Sequence, residues 1–77
     1  MMEQNKLQKI LENNFPDAQI KLIDLVGDQN HYSLSIEDSV FTGKSMVAQH
    51  KIVNSVLREY LDSGELHALQ LKTIAKN

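Results

Sequence analysis

Residues 18–37 read AQIKLIDLVGDQNHYSLSIE, and this stretch decides the fold. In its second half Tyr32, Leu34 and Ile36 alternate with His31, Ser33, Ser35 and Glu37, the period-two pattern of a strand with one buried face. In its first half Ala18, Ile20 and Leu22 alternate with polar residues until Ile23 and Leu25 take over the apolar phase. That phase change predicts a strand with a twist or a bulge. Gly27-Asp28-Gln29-Asn30 supplies turn chemistry between the two, so an antiparallel hairpin is expected.

Working outward, Leu7, Ile10 and Leu11 fall at i, i+3 and i+4, the stripe of an amphipathic helix. It is expected to stop near Asn13-Asn14, because Asn tolerates a left-handed end and Pro16 disfavours helical geometry at Phe15. After the hairpin, Val40 to Lys44 reads as a loop and Ser45 as an N-cap. Val53, Val56, Leu57, Tyr60 and Leu61 then form a 3.6-period stripe that ends at Asp62-Ser63-Gly64, with Gly64 suited to a left-handed cap. Ser45 to Leu61 reads equally well as one helix or as two meeting near His50. Leu66 to Ile74 reads as a last strand, with His67 on the face of Leu69 and Leu71 and so semi-buried. The order is helix, strand, strand, helix or helix pair, strand. This predicts one α+β domain over 1–77, with helices covering one face of a three-stranded sheet.

The 77 residues are 42% hydrophobic and 23% charged, with a net charge of −2, which describes a small globular domain. A chain this short buries only roughly 60% of its unfolded surface, leaving little room for an enclosed substrate cavity. An enzyme acting on a small-molecule substrate is not expected. Residues 1–39 carry 3 basic and 7 acidic side chains, and residues 40–77 carry 5 basic and 3 acidic. Five spread cations are a weak signal for nucleic acid, whose binders concentrate Lys and Arg. No apolar run is long enough for a membrane span, and the opening Met-Met-Glu-Gln-Asn-Lys does not resemble a signal peptide, so a cytoplasmic location is expected.

Gly43-Lys44-Ser45 looks like the tail of a phosphate-binding loop, but the position five before Gly43 is Asp38 rather than Gly. No Ser lies in a Gly-x-Ser-x-Gly elbow, and there is no cysteine. Without cysteine the chain cannot build a thiolate site of its own. Three histidines remain. His31, on the polar face of its strand, presents a ring nitrogen to solvent or a metal; taken alone it reads as an ordinary surface histidine. His67 taken alone reads as a satisfied strand residue, and His50, beside Gln49 and Lys51, as a packing residue.

Three ordered motifs change that weighting. Val40-Phe41-Thr42-Gly43-Lys44-Ser45, then Gln49-His50-Lys51-Ile52-Val53, then His67-Ala68-Leu69-Gln70-Leu71-Lys72-Thr73 closely resemble the BolA family pattern. With the helix and hairpin before them, the similarity covers nearly the whole chain. The resemblance implies an αββααβ order with a mixed sheet, similar to a type II K-homology fold, and favours two helices after Ser45. It also implies a heterodimer with a monothiol glutaredoxin, sharing a two-iron, two-sulfur cluster that glutathione helps to hold; the isolated chain would hold none.

Carried onto this sequence, the strand-opening histidine of the family is His67. The second ligand is expected from the hairpin, where His31 is the nearest histidine; Asp28 or water is the alternative. The family's reputation in transcription makes a DNA-binding regulator the other reading, with Lys44, Lys51 and Arg58 on phosphates. Gln49 and Lys51 stand where the family has paired Arg, and the sequence stops at Asn77 without the Pro-x-x-Trp ending common in relatives. The loop Gly43-Lys44-Ser45-Met46 also lacks the second glycine of an RNA-clamping Gly-x-x-Gly.

Overall fold

A computed structural model describes residues 2–27 and 31–76. Helix α1 spans Gln4–Asn14, strand β1 Gln19–Asp24, strand β2 His31–Asp38, a 3-10 turn Ser39–Phe41, helix α2 Met46–Ser63 and strand β3 Ala68–Ala75. The sheet order is β1-β2-β3, with β1 antiparallel and β3 parallel to the central β2. A hairpin can join the antiparallel pair directly, whereas the parallel pair needs a crossover, and α2 provides it. The α+β class and the mixed three-stranded sheet are as expected.

The period-two pattern of β2 is obeyed without exception. Tyr32, Leu34 and Ile36 are fully buried, and His31, Ser33, Ser35 and Glu37 face the other side. Leu7 and Leu11 of α1, Val53 and Leu57 of α2, and Phe15, Leu22, Phe41 and Leu66 close the core over that buried face. The Tyr32 hydroxyl is satisfied inside this core by donating to the Met2 carbonyl at 2.5 Å.

Two expectations need correction. Of the twist or bulge expected in β1, the bulge is absent: pairing runs without interruption from Gln19 opposite Glu37 to Asp24 opposite Tyr32. The alternation of Ile20 and Leu22 therefore persists, and Ile23 and Leu25 turn outward, each 45% exposed. Nor are there two helices after Ser45, because α2 is continuous through His50. Gln49, Val53 and Leu57 keep a single buried stripe, so no break at His50 is required. The additional helical element lies earlier, as the 3-10 turn, where the Asp38 carboxylate accepts from the Val40 amide at 3.1 Å. Gly43, at φ 78, turns the chain before Ser45 caps α2 by accepting from the Ala48 amide at 3.2 Å.

Gln49, read from sequence as a substitute on a basic face, is buried instead. Its amide donates to the Phe41 carbonyl at 3.3 Å and the Lys44 carbonyl at 2.8 Å, and its carbonyl accepts from the Thr73 hydroxyl at 2.6 Å. One side chain thus ties the loop before α2 to both α2 and β3. At the opposite end Lys6 of α1 bonds Glu65, which follows α2, and lies 5.3 Å from the Tyr60 ring centre. The Glu65 hydrogen bond raises the Lys6 pKa above its ordinary value. Asp28, the alternative ligand, lies outside the described residues, as do Gln29 and Asn30 of the expected turn.

Candidate functional site

The alternation that buries Tyr32 puts His31, the first residue of β2, on the face of the sheet away from the helices. In the parallel ladder His31 stands opposite Ala68, the first residue of β3. The residue before Ala68 is His67, which therefore arrives beside His31 although 36 positions separate them in the chain. Its placement is set from the preceding side. Gly64 ends α2 in the left-handed region at φ 80, the Leu66 amide donates to the Tyr60 carbonyl at 3.0 Å, and Leu66 is 1% exposed. His67 is thus held between a buried anchor and the start of a strand.

The two imidazole rings lie edge to face, with centroids 5.5 Å apart and planes at 70°. Two imidazoles sharing one tetrahedral ion at ordinary metal–nitrogen distances have centroids about 5 Å apart. The observed spacing fits such sharing. His31 is half-buried, and His67, one residue ahead of β3, is exposed rather than semi-buried as the sequence pattern suggested. Exposure makes the site reachable by another molecule.

The donor set is also incomplete. The chain has no cysteine, and no group of three or more His, Cys, Asp or Glu among the described residues could hold a metal ion. A tetrahedral metal ion would take four ligands, and the two imidazoles could supply two of them. His50 does not join the pair. It sits within α2 with its Nε2 buried and without a hydrogen-bond partner, in keeping with a packing role.

The basic residues of the other reading are all exposed but do not form a dense stripe. Lys44 precedes α2, while Lys51 and Arg58 lie two turns apart on it. Arg58 is 3.7 Å from Asp62, so a carboxylate stands beside one of the three cations. Lys51, Arg58 and Asp62, with Asn54 and Ser55, border a shallow open groove along α2, and Lys44 is not part of it. Gln49 contributes nothing to that surface, being occupied inside.

Sequence reasoning missed the apolar side chains around the histidine pair. Leu25 lies across from His31, its amide donating to the His31 carbonyl at 2.8 Å, and Ile23 pairs with Ser33 on the same outer face. Val26, next along, is 66% exposed. For Ile23 and Leu25 the signal was the apolar phase change at Ile23, which marks side chains turned outward rather than an inserted residue.

A family model described as BolA-like protein matches residues 9–77. The protein RP812 of Rickettsia prowazekii is 49% identical over 70 residues, covering 91% of this chain and 90% of that protein. Its NMR structure, a BolA-like protein, superposes with a TM-score of 0.72 at 45% identity, covering 99% of this chain and 97% of the other. A BolA protein from Ehrlichia chaffeensis has a TM-score of 0.61 at 39% identity, with 99% and 95% covered. BolA1 from Arabidopsis thaliana reaches 0.79 at 27% identity, with 92% and 88% covered. Fold, ordered motifs and these likenesses together place the chain in the BolA-like family.

Proposed function

We propose that this BolA-like chain is a non-enzymatic partner of a monothiol glutaredoxin, supplying His67 and His31 to a glutathione-dependent two-iron, two-sulfur cluster held between the two proteins. The cluster is cargo or signal, and the chain serves iron–sulfur trafficking or iron sensing in the cytoplasm. The observation that carries this reading is the pairing of two solvent-reachable imidazoles, 5.5 Å apart, in a chain without a thiol. Such a pair is half of a ligand set. The glutaredoxin cysteine and the glutathione thiolate are the sulfur donors that would complete it, and histidine is known chemically to replace cysteine on one iron of such a cluster.

Histidine also suits transfer. Imidazole binds as a neutral ligand and takes up a proton on leaving, so iron held by two histidines exchanges ligands more readily than iron held by four thiolates. The fold keeps the two rings adjacent through backbone pairing, so little ordering is needed when the cargo arrives. Among the described residues no helix is long and apolar enough to cross a membrane.

The test is to add the protein to a cluster-loaded monothiol glutaredoxin with glutathione and record visible absorption and circular dichroism. A new spectrum at one chain per glutaredoxin is expected, altered again in His31→Ala. An unchanged spectrum with no complex formed would overturn the reading and bring forward nucleic-acid binding. That alternative predicts an affinity that falls steeply with salt, since each phosphate contact releases counterions.

A further inference from the structure

We propose that Ile23, Leu25 and Val26 form the docking surface on which the thiolate-bearing partner seats itself beside His31 and His67. The inference rests on the functional reading above and extends it from the ligands to the contact that delivers them.

Helices cover only one face of the sheet, and the open face is unevenly composed. Toward the Asp38 end it carries Gln19, Lys21, Ser35, Glu37 and Lys72, with half-buried Ile74 among them. Toward the hairpin end it carries Ile23 and Leu25, each 45% exposed, and Val26, which follows Leu25 beyond the end of β1, is 66% exposed. Apolar side chains clustered on an edge strand are a liability unless something covers them. In this chain they are contiguous with the one site that is chemically incomplete. Leu25 stands directly across the β1–β2 ladder from His31, and His67 lies on the other side of His31.

That contiguity selects the occupant. The proposed cluster takes four terminal ligands, and the two that these histidines do not supply are thiolates on the other iron. A molecule that brings thiolates to the second iron of that cluster, one sulfide bridge from the iron on His31 and His67, meets the neighbouring side chains. The partner is therefore expected to present apolar residues beside its thiolate, so that burial of the trio offsets part of the cost of ordering the complex. Anchors packed near the centre of an interface carry most of its energy, and this trio adjoins the ligands at that centre.

Another exposed apolar group, Met46 and Val47 at the start of α2, provides a control. Met46 contacts Thr73, five residues along β3 from Ala68 and thus about 17 Å away at strand spacing.

The test measures affinity and visible circular dichroism together, using a cluster-loaded monothiol glutaredoxin with glutathione and the wild type, Leu25→Asp, Val26→Asp and Val47→Asp chains. Thermal melting of each variant alone verifies the fold; Val26 is the more exposed position and serves if Leu25→Asp melts early. The expected result is at least tenfold weaker binding for Leu25→Asp and Val26→Asp, unchanged binding for Val47→Asp, and a wild-type spectrum for all three at saturation. Wild-type affinity in both collar variants, while the wild-type chain still changes the cluster spectrum, would overturn this inference alone. A spectrum altered at saturation would also overturn it, by assigning the trio to ligand placement. No spectral change with the wild type would remove the functional reading and this inference with it. Self-association of the wild-type chain that Leu25→Asp abolishes would assign the surface to a second copy and overturn the choice of occupant.

Discussion

The His67→Ala variant is expected to leave the spectrum of a cluster-loaded glutaredoxin unchanged, whereas the wild-type chain alters it. The reasoning separates chemistry from stability. His67 is exposed, its backbone position is set by buried Leu66 and by the start of β3, and its ring lies edge to face with that of His31. Truncation should therefore shift folding stability by no more than about 0.5 kcal/mol, the range usual for exposed positions. The loss of a ligand is not small in the same way, because one remaining imidazole cannot hold iron against a complete set of thiolates. Urea denaturation and the visible spectrum of the same sample check both halves. A His67→Ala chain that reproduces the wild-type spectrum would show that His67 is not a ligand.

Leu34→Ala is expected to do the opposite, with a large loss of stability and no direct effect on the ligands. Leu34 is fully buried at the middle of the central strand, opposite Leu22 of β1 and Leu71 of β3. Truncating a buried leucine costs the lost transfer energy plus a cavity, about 3 kcal/mol. For a chain of 77 residues, total stability is of the order of 4–12 kcal/mol at typical values per residue. The same loss corresponds to a fall in melting temperature of about 12–24 °C, because small domains shift roughly 4–8 °C per kcal/mol. Thermal unfolding followed by far-ultraviolet circular dichroism measures it. Below its melting temperature the variant should still alter the cluster spectrum, since β2 and β3 continue to hold His31 against Ala68.

Much of this structure was legible from residue patterns because the patterns are local. The strict alternation from His31 to Glu37 fixed both the strand and its buried face, and that face in turn put His31 on the outside. Ser45 and Gly64 mark the two ends of α2 by their chemistry, one as an accepting hydroxyl and the other as a residue free to take φ 80. The unbroken course of α2 was not legible, because the stripe through Gln49 and Val53 treats a polar amide as part of the core. Gln49 is buried only because Phe41, Lys44 and Thr73 meet its two ends, and that meeting is tertiary. Ile23 posed the same difficulty in reverse. An apolar residue in the outward phase looks like a bulge until the register shows an unbroken ladder.

The site divides in the same way. Neither His31 nor His67 is distinguishable from a surface histidine on local grounds, and the resemblance to the BolA family singled out His67 through its motif. The partnership of the two emerges from the parallel β2–β3 register, a contact across 36 positions that no periodicity encodes. The apolar collar of Ile23, Leu25 and Val26 was equally hidden, since its meaning depends on which face of the sheet the helices leave open.

The most direct test of the central claim is pulsed electron paramagnetic resonance on the reduced complex of this chain with a cluster-loaded monothiol glutaredoxin and glutathione. The chain would carry nitrogen-15 in its histidines only. Hyperfine coupling to two labelled ring nitrogens is predicted, and none is predicted in His67→Ala. A reduced cluster that shows no coupling to labelled nitrogen would contradict histidine ligation by this chain, and with it the proposed function.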